Sequence, residues 1–490
     1  MVKPSLAEAE AIAADPQYNI IPLSMELVAD ETTPVTVLRI LKNISRHCFM
    51  LESVEDAKKW GRYTFLGFNP TLELTCLDGK LSVRTAVKAE SQTENPGEAI
   101  QGILNEYKSP DFDYLPPFTG GLVGYFSYDY LKYSEPSLHL DAQDEERFND
   151  VDLMLFDKVI AFDHFKQKII LIVNIRTENL ETEYPKGIVE LQNLSNLIKN
   201  GTPCPAQPGK LLSPFRPLFD KEQYCEMVSR AKEYIKEGDI FQVVLSNRLE
   251  ADYEGSLLDT YRILRGTNPS PYMFYLGSKD IEIAGASPET LVKLQDGKLY
   301  TFPLAGTRPR GMTEEQDIAL EQELLQDEKE LAEHNMLVDL GRNDLGKISR
   351  FGTVKVENYM AVERFSHVMH IGSTVSGDIR ADKQAIDAIN AVLPAGTLSG
   401  APKLRAMQII NELENNKRGL YGGAIGYLDF KGNMDTCIAI RIAFKKNGKV
   451  FIRSGAGIVA DSVPESEYNE CLHKAKAVLN ALEQAEGGLA

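Results

Sequence analysis

Cysteine is scarce: six residues in 490, with no Cys-x-x-Cys pair, so neither a disulfide framework nor a zinc cage is indicated and the thiols read as reduced. Long apolar runs are missing as well. The longest aliphatic stretch, Ile169 to Ile175, is strand-sized, far below the ~20 residues a membrane span needs. The opening segment MVKPSLAEAEAIAADPQ lacks the apolar centre of a secretory leader, which predicts a cytoplasmic protein. Positive charge is in deficit, with 53 Lys and Arg against 71 Asp and Glu and a net charge of −18. Neither a nucleic acid nor an anionic membrane is therefore an expected partner. No Walker loop, Rossmann fingerprint or Ser/His/Asp elbow occurs, which argues against ATPase, dehydrogenase and hydrolase chemistry.

The composition that remains, 43% hydrophobic and 25% charged, is that of a folded globular protein too long for one compact core. A Pro/Gly cluster from Asn200 to Gly209 follows a helical pattern ending near Lys199. It predicts an N-terminal α+β domain over residues 1–200, a linker over 201–213 and a second domain over 214–490. After the linker, Tyr224, Met227, Val228, Ala231, Tyr234 and Ile235 share one helical face that Gly238 ends. Continuous strands are expected from Leu153 to Asp163 and from Cys437 to Phe444. Two glycine-rich strings, Gly120 to Tyr125 and Gly422 to Tyr427, share a GG-aliphatic-GY pattern and read as strands that could face each other, thinned for close backbone packing.

Several motifs could carry chemistry. Asp327 and Glu330 fit a helix cap, and Glu330, Glu333 and His334 then share a face. Ser462 and Glu465 fit a second capping box, followed by Glu467, Glu470 and Lys474 on one stripe. These carboxylates are either solvated surfaces or a pair of helices that hold Mg²⁺, which takes few protein ligands. Turns are expected at Pro303 to Gly311 and Ser454 to Gly457, whose N–H groups could cradle an anion, and Pro394 to Lys403 leads into a helix N-terminus. Arg441, expected mid-strand in an apolar run, needs a carboxylate from the protein or from a substrate. His370 is either a proton-transfer imidazole or a core histidine bonded to backbone.

In this order the strings FMLESVE, GRYTFLG, GASPETLVKL, PLAGTRPRG, DEKELAEHNMLVDLGRNDLG, LPAGTLSGAPK, YGGAIGY and RSGAGIVADSVPESEYNE resemble the chorismate-utilising enzymes, above all the large subunits of anthranilate synthases. The resemblance covers nearly the whole chain. It implies an α+β fold of layered antiparallel β-sheets with flanking helices, around a chorismate site built mostly from the C-terminal half. It also implies Mg²⁺ on Glu333 and Glu470, with Gly306, Thr307, Tyr421, Arg441, Gly455, Ala456, Gly457 and Lys474 holding chorismate. Glu289 would be the general acid for loss of the C4 hydroxyl as ammonia adds at C2. His370 would be linked to the elimination of pyruvate that yields anthranilate.

Two positions discriminate within the resemblance. Water-using relatives carry a lysine where Gln242 stands, and aminodeoxychorismate synthases commonly carry one where Ala305 stands. Both residues favour direct addition of ammonia. No glutaminase nucleophile is recognisable, so a separate glutamine amidotransferase subunit is implied, in a heterodimer or heterotetramer. Finally, Glu52 and Ser53 together with Pro271, Tyr272 and Met273 match the two segments of the family's L-tryptophan feedback pocket, in which Glu52 is expected to accept the ammonium.

Overall fold

In a computed structural model of the chain, residues 2–53, 61–364 and 368–489 are described here. The tail of FMLESVE beyond Ser53 lies outside them. Two large antiparallel sheets form the protein, one of 14 strands and one of 12. Both draw on the chain before and after residues 201–213. In the larger sheet Cys48–Glu52 pairs with Tyr272–Gly277; in the smaller, Gly121–Phe126 pairs with Ala424–Asp429. The latter two are the strands of the GG-aliphatic-GY echo, and they meet with Gly124 opposite Gly426.

A core of large apolar side chains lies between the sheets. Phe49, Phe274 and Phe444 come from the larger one, Phe156 and Ile425 from the smaller. Helices cover the outer faces. The helix Lys221–Glu237 buries Tyr224, Met227, Val228, Ala231 and Tyr234, the face its periodicity predicts. It starts on an Asp220 capping box and ends at Gly238, whose φ of 87° suits a left-handed cap. Together with Lys403–Glu414 and Pro464–Ala485 it packs over the strands Gln242–Glu254 and Lys449–Ile458.

Several local expectations change, among them the turn at Pro303 to Gly311, which is largely the strand Leu304–Pro309. The run from Leu153 to Asp163 is two strands in different sheets, Val151–Phe156 and Lys158–Asp163. The run from Cys437 to Phe444 likewise divides into Met434–Ile438 in the smaller sheet and Ile442–Lys446 in the larger. Arg441 stands at that crossing with φ 53°, not mid-strand. A crossing between two sheets with a shared core is apolar on both sides, so hydrophobicity alone carries no mark of it. Ser454 to Gly457 is no turn but part of Lys449–Ile458, with Gly455 opposite Ser246. Ser462 does not cap the last helix; its hydroxyl accepts from the Val459 N–H instead.

Candidate active site

Two helices bring the acidic stripes together. Asp327 caps Glu328–Gly346, accepting from the N–H groups of Lys329 and Glu330 at 3.1 and 3.3 Å. One turn on, the Glu333 carboxyl is pushed up by burial first, then by Glu330, with Glu470 across the gap adding to it. Glu330 and Glu467 are also raised, each first by burial, and each feels Glu470. Lys474 lies 2.7 Å from Glu470 and donates to the Gly455 carbonyl at 3.1 Å. The four carboxylates form a concentrated negative patch. Among the described residues no three His, Cys, Asp or Glu side chains close into a metal cage. His334 leaves the stripe: it is fully buried, and its Nε2 lies 2.6 Å from Ser373 Oγ.

Glu289 sits on the turn between Glu282–Ser287 and Thr290–Gln295. Its carboxyl is pushed up to about 7 by burial, against the lowering influence of a Thr397 hydrogen bond, Arg441 and Lys474. The Thr397 hydroxyl donates to Glu289 Oε1 at 3.0 Å. Burial pulls Arg441 down while the charge of Glu289 holds it up, with no direct ion pair between the two among the described residues. Arg441 stands at the crossing between the two sheets, within electrostatic reach of Glu289. Thr397 was missed in the sequence, where its segment reads as a turn before a helix; which way a hydroxyl points has no signature in composition.

His370 lies on Val368–Asp378, with Nδ1 2.8 Å from the Gly306 carbonyl and 3.1 Å from Thr307 Oγ1. Burial lowers its pKa, and Arg441 lowers it further. The neutral ring donates through Nδ1 to Gly306, which leaves its lone pair on Nε2. Gly306 and Thr307 form a bulge in Leu304–Pro309, where the pairing with the His370 strand slips between Ala305 and Arg308. The φ of 65° at Gly306 is one a side chain would resist.

The remaining candidates line a paired-strand floor. Gly455, Ala456 and Gly457 stand opposite Ser246, Leu245 and Val244. A Cβ on residue 455 would come within 2.9 Å of the Tyr421 hydroxyl, so the absence of a side chain there lets Tyr421 settle on the backbone. The Gln242 amide nitrogen occupies the corresponding space over Gly457, and its buried Oε1 has no hydrogen-bond partner among the described residues.

A cavity of about 420 Å³, lined by none of these groups, lies between the two sheets. Glu52, Ser53, Pro271, Tyr272 and Met273 all contribute to its wall, with Tyr427 and Asp435 from the smaller sheet. Directly opposed residues of paired strands share a face. Glu52 is opposite Met273 and Leu51 opposite Phe274, so Glu52 points away from the side of Leu51 and Phe274. Its carboxylate is held by Arg265 at 2.6 Å and by the hydroxyls of Tyr261 and Thr64. Glu52, expected to accept a ligand ammonium, is thus paired with Arg265 within the protein. Asp435, one of the acidic residues in the cavity wall, is bonded by Tyr272 Oη at 2.8 Å and lies 3.7 Å from Lys293 Nζ. No helix among the described residues is long and apolar enough to cross a membrane.

Comparisons with known proteins bear on this arrangement. A family model described as chorismate binding enzyme matches residues 46–480. Anthranilate synthase component 1 of Acetivibrio thermocellus is 48% identical, covering 99% of each chain, and that of Acinetobacter calcoaceticus is 45% identical, covering 96% of this chain and 97% of its own. The crystal structure of anthranilate synthase component I from Streptococcus pneumoniae TIGR4 superposes with a TM-score of 0.76 at 37% identity, over 92% of this chain and 98% of that one. The Escherichia coli menaquinone-specific isochorismate synthase shares the fold, with a TM-score of 0.71 at 19% identity over 97% of this chain and 98% of that one. The chain belongs to the chorismate binding enzymes, among their anthranilate synthase component 1 members.

Proposed function

We propose that this protein is the synthase subunit of an anthranilate synthase, converting chorismate and ammonia to anthranilate and pyruvate under feedback by L-tryptophan. The observation that carries the reading is Lys474, which pairs with Glu470 at 2.7 Å and whose charge is felt by both Glu333 and the raised carboxyl of Glu289, where Arg441 also acts. A buried acid that holds its proton near neutrality suits departure of a hydroxyl as water. Ammonia forms the bond to C2 and sheds a proton to solvent, both ring double bonds shift by one position, and the C4–O bond breaks as Glu289 delivers its proton, releasing water. In the second step the C2 proton leaves, the bond to the enolpyruvyl oxygen breaks, and pyruvate departs as the ring becomes aromatic. His370, neutral and oriented through Gly306, is the candidate base for that step. Arg441 suits the enolpyruvyl carboxylate, and Tyr421, Gly455, Ala456, Gly457, Gly306 and Thr307 surround the substrate. Gln242 cannot activate water as a lysine would.

Mg²⁺ fits the carboxylate patch, because it binds through one or two carboxylates and keeps several waters, so a dense cage is not required. Glu333 and Glu470 are the proposed ligands, and the bound ion supplies positive charge that orients a substrate carboxylate. A separate glutamine amidotransferase is the proposed ammonia source. Buried Cys48 and Cys471 have thiols pushed up to about 12, the opposite of an activated nucleophile. The 420 Å³ cavity is of a size for one amino acid, with Asp435 for its ammonium and Tyr272 and Tyr427 for an indole. The test is anthranilate fluorescence from the purified chain with chorismate, Mg²⁺ and ammonium, with and without tryptophan. Tryptophan-suppressed product supports the reading; loss of chorismate without anthranilate refutes it.

A further inference from the structure

Beneath the floor of the site lie three buried charges that the reaction as written does not use. Glu414, Arg418 and Arg453 are each 2% exposed. Arg418 grips Glu414 with Nε and Nη2 at 2.9 and 2.6 Å, donates to two carbonyls, Leu398 through Nη1 and Val244 through Nη2, both at 2.6 Å, and lies 4.6 Å from the Tyr128 ring centre. Arg453 reaches Glu414 at 2.7 Å, Ser246 Oγ at 2.8 Å and Asn416 Oδ1 at 2.8 Å. Glu414 also receives the Ser246 N–H at 2.8 Å.

The carbonyls and the serine gripped here belong to the pieces that build the site. Leu398 follows Thr397 in the short turn Gly396–Leu398. Val244 is opposite Gly457, and Ser246 opposite Gly455. The Arg418 guanidinium also lies 5.7 Å from the Tyr421 ring centre. Burying such a set costs desolvation that apolar replacements would avoid, so stability is a poor reason for it. Fixing several backbone segments at once is a better one.

We propose that Arg418 is a positioning residue for the reaction: anchored by Glu414, it fixes the Leu398 carbonyl, and with it the Thr397 hydroxyl on Glu289. The inference rests on Glu289 being the acid. The charged groups that face Glu289 are Arg441 and Lys474, and Thr397 is its hydrogen-bond donor. Losing that bond makes Glu289 hold its proton to higher pH and donate it less readily.

Arg418→Lys keeps the charge but cannot reach both carbonyls and Glu414 as a planar fork does. The rate with chorismate, Mg²⁺ and saturating ammonium is measured from pH 6 to 9 for Arg418→Lys, Thr397→Val, the double variant and the unaltered enzyme. Dividing by the unaltered rate at each pH removes the ionisation of ammonium. Expected is about a tenfold loss of kcat below neutrality, with KM changed less than about threefold and the relative rate climbing as pH passes 7. Thr397→Val should behave alike, and the double variant should add nothing. A relative rate flat in pH, or additive losses, overturns the proposal. Should Arg418→Lys not fold, Glu414→Gln, which keeps shape and weakens the anchor, must show the same climb, and a flat ratio overturns it equally. Glu289→Gln at full activity would refute the acid itself; an inactive Glu289→Gln with flat Arg418 and Thr397 variants refutes the positioning alone.

Discussion

The hydroxyl of Tyr272 lies 2.9 Å from Thr290 Oγ1, the residue that follows Glu289. The same hydroxyl donates to Asp435, whose strand ends at Ile438, and the Ile438 N–H is bonded to the Glu289 carbonyl at 2.9 Å. One side chain in the cavity wall thus ties Thr290–Gln295 to Met434–Ile438, whose last residue bonds the backbone of the proposed acid. A ligand in the cavity affects chorismate to the extent that it favours one arrangement of these strands, and chorismate must affect that ligand by the same factor.

Tyr272→Phe keeps the ring and removes both bonds. Tryptophan should still bind within about tenfold of its original affinity, while the factor by which it weakens chorismate falls several-fold. Binding followed by calorimetry, beside inhibition followed by fluorescence, separates the two; full inhibition by bound tryptophan would show that coupling runs elsewhere.

Ser53 borders the same cavity, and its buried hydroxyl has no hydrogen-bond partner among the described residues. Ser53→Phe fills space the indole needs, so inhibition should be lost with catalysis retained within about twofold. Unchanged inhibition would move the tryptophan pocket to another part of the molecule.

Removing one carboxylate from the acidic patch relieves repulsion between Glu333, Glu330 and Glu470. Glu333→Gln and Glu470→Gln should therefore fold at least as well as the unaltered chain yet lose about a hundredfold or more in Mg²⁺-dependent turnover. Thermal melts with and without Mg²⁺ give a second readout: the metal-induced rise in Tm should disappear in both variants.

The Glu289 carboxyl is held at about 7, above its ordinary 4.5. A carboxyl raised by folding contributes stability that is complete below pH 4.5 and lost as pH climbs through 7. Glu289→Gln, neutral throughout, should accordingly be more stable than the unaltered chain at pH 8, by about 1–2 kcal/mol after allowance for partial exposure, with no gain at pH 4. Denaturant titrations at the two pH values check this, and an equal difference at both would refute the raised carboxyl.

Much of the site could be read in the sequence because its pieces are local. The i, i+3 spacing of Glu330 and Glu333, and of Glu467 and Glu470, sets each pair on one helical face wherever the helices go. The echo between Gly120 to Tyr125 and Gly422 to Tyr427 correctly suggested two facing strands. The long motifs made the family recognisable before any geometry. Arg441 shows the limit: its flanking residues are apolar whether the chain runs on in one sheet or crosses to another.

Chain composition and local periodicity determined the helices, most strands, the acidic stripes and the family, since these depend on residues a few positions apart. Tertiary structure alone decided that Glu52 turns to Arg265 while Asp435 faces the cavity, and that Thr397 reaches Glu289 across 108 residues. It also joined Arg418, Arg453 and Glu414 beneath Tyr421. Strand register and the direction of a buried polar side chain are set by partners distant in the chain, which no local pattern encodes.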